Sequence, residues 1–274
     1  MTTSILAAAL ALLVVDAALR LFRARPGEAL HAAVYLLLAY GPLLLVPRLP
    51  PLALSAASAV VALAALISFI RLVGLRHDLL FAVPVYLLVP AAFALAHAGP
   101  PWLFQSLPVL AVLLVLAPST LRGRPEAYLQ KLCLSWVAFL VYGYLWGHAA
   151  LLGRHQPLVV ALIILLAKFA DVAWVATSRL APGRPNLQLV ASPLGGLLGG
   201  VVLTAVGGPA PGHWAGFGLV VGLVLGLASR SHDLIVTDVS EGQSRDTRPL
   251  KSTMLFGFGF ALAVALQLQR WIAG

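Results

Sequence analysis

A succession of apolar runs constrains this chain most, each close to the length of a bilayer-spanning helix and divided from the next by proline, glycine or arginine. A helical span needs about 20 mostly apolar residues, and in lipid its backbone amides must be satisfied within the segment that carries them. Ten such runs are present, at roughly 2–19, 30–46, 52–70, 79–96, 102–118, 132–152, 157–178, 189–207, 214–229 and 252–272. They are solidly apolar rather than alternating, so helices and not barrel strands are expected. The pattern predicts an all-α, polytopic integral membrane protein of about ten transmembrane helices. Composition agrees: 61% of the residues are hydrophobic and 10% charged, a balance foreign to soluble domains of this length.

The net charge of +9 is spread unevenly, and its placement argues for orientation rather than for nucleic-acid binding. Taking alternate loops, one side collects Arg20, Arg23 and Arg25, then Arg71 and Arg76, then Arg122, Arg124 and Lys131. Arg179 and Arg184, then Arg230, Arg245, Arg248 and Lys251, fall on the same side, fourteen in all. The other side holds Arg48, Arg154 and Arg270. The excess of Lys and Arg predicts that the fourteen face the cytoplasm of a bacterial-type inner (cell) membrane, with both termini outside. Residues 1–19 lack a basic start and run into an arginine cluster, which predicts a retained first helix rather than a cleaved signal. That cytoplasmic face also holds most of the acidic residues, and Asp233, Asp238, Glu241 and Asp246 cluster there in one long polar segment, Arg230–Lys251. The polar chemistry is therefore expected on the cytoplasmic side of the C-terminal half.

Two ionisable residues break the run 157–178. Lys168 and Asp171 lie three apart, on one helical face, at membrane depth. Charges there are costly unless they face each other or a polar cavity, and they mark functional sites by default. Asp16 and Arg20, four apart, read as a local pair near the end of the first helix. Pro84 and Pro90 predict kinks inside a helix, while Pro47, Pro50 and Pro51 mark a turn. Gly195 with Gly199, and Gly196 with Gly200, are small-xxx-small pairs that let another helix approach closely. The single cysteine, Cys133, excludes a disulfide framework or a thiolate metal site, and the scattered histidines form no metal motif. Walker-type loops and a Gly-x-Ser-x-Gly elbow are absent, which argues against ATPase and hydrolase chemistry.

Taken in order, Lys168-Phe-Ala-Asp171, Arg179, Arg184, Ser192-Pro193 and Gly199-Gly200 resemble the phosphatidate cytidylyltransferase (CDP-diacylglycerol synthase) family. That family places an aspartate in a helix, then a loop containing glycine and a base. A Ser-Pro-x-Lys-Thr-x-Glu-Gly motif follows, and then a Gly-Gly. Its next signature, Lys-Arg-Asp-Leu-x-x-Lys-Asp, is similar in form to Ser231-His232-Asp233-Leu234-Ile-Val-Thr237-Asp238. The stretch 136–152, with Tyr142 and His148, is also similar to one bacterial branch, and the resemblance covers about residues 130–272. The chain departs from the pattern at Gly195, Gly196 and Leu198, which stand for the family's lysine, threonine and glutamate. Ser231, His232 and Thr237 replace basic positions, and Lys251 stands where the family has a carboxylate.

The resemblance implies an N-terminal scaffold over 1–128 and a cytidylyltransferase-like region over 129–274. It implies transfer of CMP from CTP to a lipid phosphate such as phosphatidic acid, with release of pyrophosphate, in phospholipid biosynthesis. Asp171 and Asp238 would be the catalytic residues. Lys168, Arg179, Arg184, Ser192, Arg230, His232 and Arg248 would bind substrate, guanidinium groups being suited to bidentate phosphate contacts. Mg2+ would be held by Asp238 and Asp246, with Asp171 as a further helper, since a hard cation seeks carboxylate and phosphate oxygens. A homodimer is compatible with this reading. The missing motif residues suit an alternative, a catalytically inactive homologue binding anionic lipid or a partner enzyme. A third reading, transport of a small solute, would use Lys168 and Asp171 as a pathway pair.

Overall fold

The computed structural model describes residues 3–21, 29, 32–33, 36–37, 40–41, 45, 48–120, 127–206 and 213–240. Among them 92% are helical and no strand occurs. The helices are α1 (Thr3–Leu21), α2 (Pro51–Leu72), α3 (Leu79–Ala98), α4 (Pro101–Thr120) and α5 (Tyr128–Phe139). A π-helical turn, Leu140–Leu145, joins α5 to α6 (Trp146–His155). Then come α7 (Pro157–Leu180), α8 (Pro185–Ala205) and α9 (Trp214–Ser240).

Seven helices among the described residues are long and apolar enough to cross a membrane, with α5 and α6 counted as one. The expectation of ten thus stands at seven, for identifiable reasons. Pro101–Ala117 is apolar but shorter than the other spans. The run 252–272 lies outside the described residues, as does most of 30–46, of which Leu36, Tyr40 and Leu45 are helical. Segment ends follow the sequence punctuation. Pro51, Pro157 and Pro185 occupy first-turn positions, where a missing amide costs nothing. Gly74 and Gly183 take left-handed backbone at φ +75° and +81° in the turns after α2 and α7. One boundary differs from the sequence reading. Helix α9 continues through Arg230 to Ser240, because that stretch has no glycine or proline to stop it and keeps apolar residues at Leu234, Ile235, Val236 and Val239.

The chain forms two compact units. One is built on Pro50–His155, and its core gathers Phe69, Val89, Phe139 and Tyr142, with the Phe69 and Tyr142 rings 5.7 Å apart. At the π turn, the His148 Nδ1–H donates to the Tyr144 and Leu145 carbonyls at 3.0 and 3.2 Å. The turn's wider spacing redirects its carbonyls, and this imidazole supplies a donor. Lys131 of α5 reaches back to Asp78, at the start of α3, with Nζ–Oδ2 at 3.0 Å.

The other unit combines the described residues of Met1–Leu49 with Gln156–Arg230. In it α1 groups with α7, α8 and α9 as far as Arg230. Helix α8 is glycine-lined on two faces. Gly195 and Gly199 pack on α7 against Ala173 and Phe169. Gly196 and Gly200 meet the backbone of α9 at Gly218 and Trp214, while Gly222 meets Ser192. The pairing 192 with 222, 196 with 218 and 200 with 214 makes α8 and α9 antiparallel, with main chains in direct contact. Outward positions are apolar too: Val14, Leu194 and Leu227 here, and Leu52, Leu87 and Val109 in the other unit, are exposed. Large apolar side chains facing outward on long apolar helices fit a lipid surround.

Candidate functional site

Lys168 is the twelfth of the 24 residues of α7, about midway along a helix whose ends are set by Pro157 and by the Pro182-Gly183 turn. Its side chain is fully buried, and its ammonium bonds the Asp171 carboxylate one turn on, Nζ–Oδ2 2.8 Å. The spacing of three residues brings the two together on one face. On α1 the same logic joins Asp16 and Arg20, Nε–Oδ1 2.6 Å, with the acid N-terminal to the base.

These local pairs close on each other. Lys168 Nζ lies 2.6 Å from Asp16 Oδ2, and Arg20 Nη2 donates to Asp171 Oδ2 at 2.5 Å. Each carboxylate therefore holds both cations and each cation both carboxylates, in a ring of alternating sign with no net charge. The Tyr40 hydroxyl donates to Asp16 Oδ2 at 3.2 Å, and its ring faces Lys168 Nζ at 5.0 Å. Removing charges from water costs several kcal/mol per ion, so burial is tolerable only with such pairing and hydrogen bonding. The ring is also graded. Asp16 and Lys168 are 0% exposed at their side chains, whereas Arg20 and Asp171 retain 9% and 13%.

Residue numbers along α1 and α7 rise together through these contacts, 16 with 168 and 20 with 171, so the two helices run parallel. Their basic ends accordingly coincide. Arg179, exposed near the end of α7, donates from Nη2 to the backbone carbonyl of Arg20 at 3.5 Å. That contact places a guanidinium on a helix C-terminus, where positive charge is favoured.

The remaining expected site residues divide as follows. Ser192 is buried and donates to the Gly222 carbonyl at 2.9 Å, inside the α8–α9 contact. Arg184 is exposed in the turn before α8, and Arg230 is partly buried on α9. His232 and Asp238 lie on the last part of α9, where the backbone is helical and their side chains are outside the described residues. Arg248 and Asp246 lie outside the described residues altogether. The structure thus joins Lys168 and Asp171 with Asp16, Arg20 and Tyr40. Of these, Asp16 and Arg20 were expected only as a local pair, and Tyr40 was not expected at all. Asp16, inside an apolar run, was the available signal.

The donor set at Asp171 is already engaged. Its Oδ2 already meets an ammonium and a guanidinium at 2.8 and 2.5 Å, so a divalent cation there would meet two positive charges at close range. Asp171 does not fit a metal ligand. No group of three or more His, Cys, Asp or Glu able to hold a metal occurs among the described residues.

Fold and site together define a helical protein with seven helices, among the described residues, long and apolar enough to cross a membrane, and a closed ring of buried charges between two parallel helices. No protein-family model matches the chain, and neither a curated protein nor a solved structure matches it.

Proposed function

We propose that this chain is an integral membrane protein that binds a phosphate-bearing anionic lipid. In this reading it uses the helical framework of the phosphatidate cytidylyltransferases without metal chemistry at Asp171. One observation carries the reading: the aspartate that the resemblance puts at the reaction centre is closed between Lys168 and Arg20. The lipid follows from the neighbouring bases. Arg20, Arg179 and Arg184 stand at the parallel ends of α1 and α7, where a chain of this kind meets phosphate headgroups. Guanidinium groups suit phosphate oxygens. The excess of Lys and Arg in alternate loops supports a cytoplasmic location for this end.

The test uses protein purified in lipid nanodiscs. Anionic phospholipid should be retained over zwitterionic lipid in native mass spectra, and Arg179→Gln with Arg184→Gln together should weaken retention. Equal retention of both lipids would refute the reading.

A second reading, CMP transfer from CTP to a lipid phosphate, is supported by a different observation. Helices α7 and α8 and the part of α9 up to Arg230, which carry Asp171, Ser192 and Arg230, fall in one compact unit, with α8 packed on both of the others. Pyrophosphate release from CTP and phosphatidic acid in the presence of Mg2+, lost in Asp238→Asn, would establish it over simple binding.

A further inference from the structure

We propose that α1 is a detachable helix and that the charge ring is its latch, so that α1 leaves α7 and returns without stranding a charge. The ring's own geometry carries this, independently of the lipid reading above.

Both states are paired. With α1 docked, Asp16 meets Lys168 at 2.6 Å and Arg20 meets Asp171 at 2.5 Å, the two contacts that cross between the helices. With α1 away, Asp16 keeps Arg20 at 2.6 Å and Lys168 keeps Asp171 at 2.8 Å, because each helix holds an opposite pair of its own. An unmatched buried charge is the costly outcome, and neither state has one. The pairing is internal to each helix, so it holds whatever other charges lie near the helix ends. Tyr40, whose hydroxyl reaches Asp16 and whose ring lies by Lys168, is uncharged and strands nothing on parting from either. Arg179 is exposed, and water meets its charge when its 3.5 Å contact to the Arg20 carbonyl parts.

Little else among the described residues holds α1. Its buried residues are Ile5, Ala9, Leu12 and Asp16, a seam one side chain wide. Leu10, Val14 and Val15 beside that seam are exposed. Between helices in lipid there is no hydrophobic drive, so close packing and polar contacts decide whether they stay together. Helix α1 has no glycine to bring main chains together, whereas α8 meets the backbone of α9 at Gly196 and Gly200. The ring is therefore the principal tie. Its exposed edge is Arg20 with Asp171, at 9% and 13%, against 0% for Asp16 and Lys168. Parting begins at that edge, where water competes for the contact.

The experiment places two spin labels on the full chain in lipid nanodiscs, at Val14→Cys on α1 and Leu194→Cys on α8. Both positions are exposed and lie in one compact unit, and Cys133→Ser removes the native thiol. Pulsed electron resonance should give a main distance with the wild-type ring and a second, minor one for α1 away. Lys168→Met with Asp171→Leu removes both crossing contacts while Asp16 keeps Arg20. It should raise the ratio of the second population to the first at least about tenfold, the effect of one charge-assisted hydrogen bond. Asp16→Asn with Lys168→Met is equally neutral but keeps the Arg20–Asp171 contact, and should raise that ratio less. If the first double variant does not fold, Asp16→Leu with Arg20→Met serves instead, since it too removes both crossing contacts and leaves Lys168 with Asp171. A single distance with the wild-type ring overturns the latch. So does a ratio that the first double variant or its substitute leaves unmoved, or one that the two kinds of double variant raise equally.

Discussion

Asp16 and Lys168 offer the sharpest test of the ring, because both are fully buried and lie 2.6 Å apart. Asp16→Asn leaves Lys168 and Arg20 sharing one carboxylate, a buried surplus of one positive charge. Lys168→Met leaves two carboxylates on Arg20, a buried surplus of one negative charge. Breaking a buried pair on one side costs about 3–5 kcal/mol, mainly through the charge left behind. Independent effects would therefore sum to about 6–10 kcal/mol in the double variant. The ring predicts otherwise. Asp16→Asn with Lys168→Met leaves Arg20 and Asp171 as an intact neutral pair at 2.5 Å, and the introduced amide oxygen can still accept from Tyr40. Replacing a whole buried pair by neutral groups is often close to neutral, so the double variant should lie within about 2 kcal/mol of wild type. It should be more stable than either single variant. Unfolding of the purified protein by denaturing detergent, followed by helical circular dichroism across the four members of the cycle, measures this. A double variant as unstable as the sum of the singles would show that the two residues do not share charge, and the ring would be refuted.

Other expectations follow from the packing and from the basic helix ends. Gly218→Ala drives a methyl group into the Gly196 carbonyl and should cost about 1–3 kcal/mol, whereas Gly216→Ala meets open space and should be neutral or slightly stabilising; thermal unfolding of the two variants side by side decides it. Ser192→Ala removes the bond to the Gly222 carbonyl, and double-mutant data for such intramembrane bonds suggest a loss of about 0.6 kcal/mol with the fold retained. A loss of several kcal/mol by detergent unfolding would contradict that. Lys131→Met breaks a pair whose side chains are 36% and 27% exposed, so its cost should stay below about 1 kcal/mol in the same assay. In a Cys133→Ser background, Arg184→Cys should react with an impermeant maleimide in inverted vesicles and not in intact cells; the reverse pattern would invert the assigned topology.

The helical class was plain from the apolar runs, and so was the i,i+3 meeting of Lys168 with Asp171. The joining of this pair to Asp16 and Arg20 was not, and the reason is electrostatic. Each pair is neutral by itself, so no leftover charge in the middle of either helix demanded a partner 151 residues away. Tyr40 gave no signal because a tyrosine in an apolar run is ordinary. The two glycine pairs of α8 announced close packing on two faces. The matching Gly218 and Gly222 on α9, four apart, were a readable cue to which helix would lie against one of them. The polar stretch after Arg230 looked like a loop because composition, not backbone propensity, dominated the reading; the helix runs on to Ser240. The span count fell short where a run was simply brief, as at Pro101–Ala117.

The self-balanced make-up of α1 and α7 bears on how such a chain enters a bilayer. Synthesis delivers α1 long before α7 leaves the ribosome, and a lone carboxylate or ammonium would hinder passage from the translocon into the hydrocarbon. Asp16 travels with Arg20 four residues away, and Lys168 with Asp171 three away, so each segment brings its own counter-ion. Lateral insertion and later docking then become separable steps, and the cross-contacts added on docking move no net charge across the bilayer.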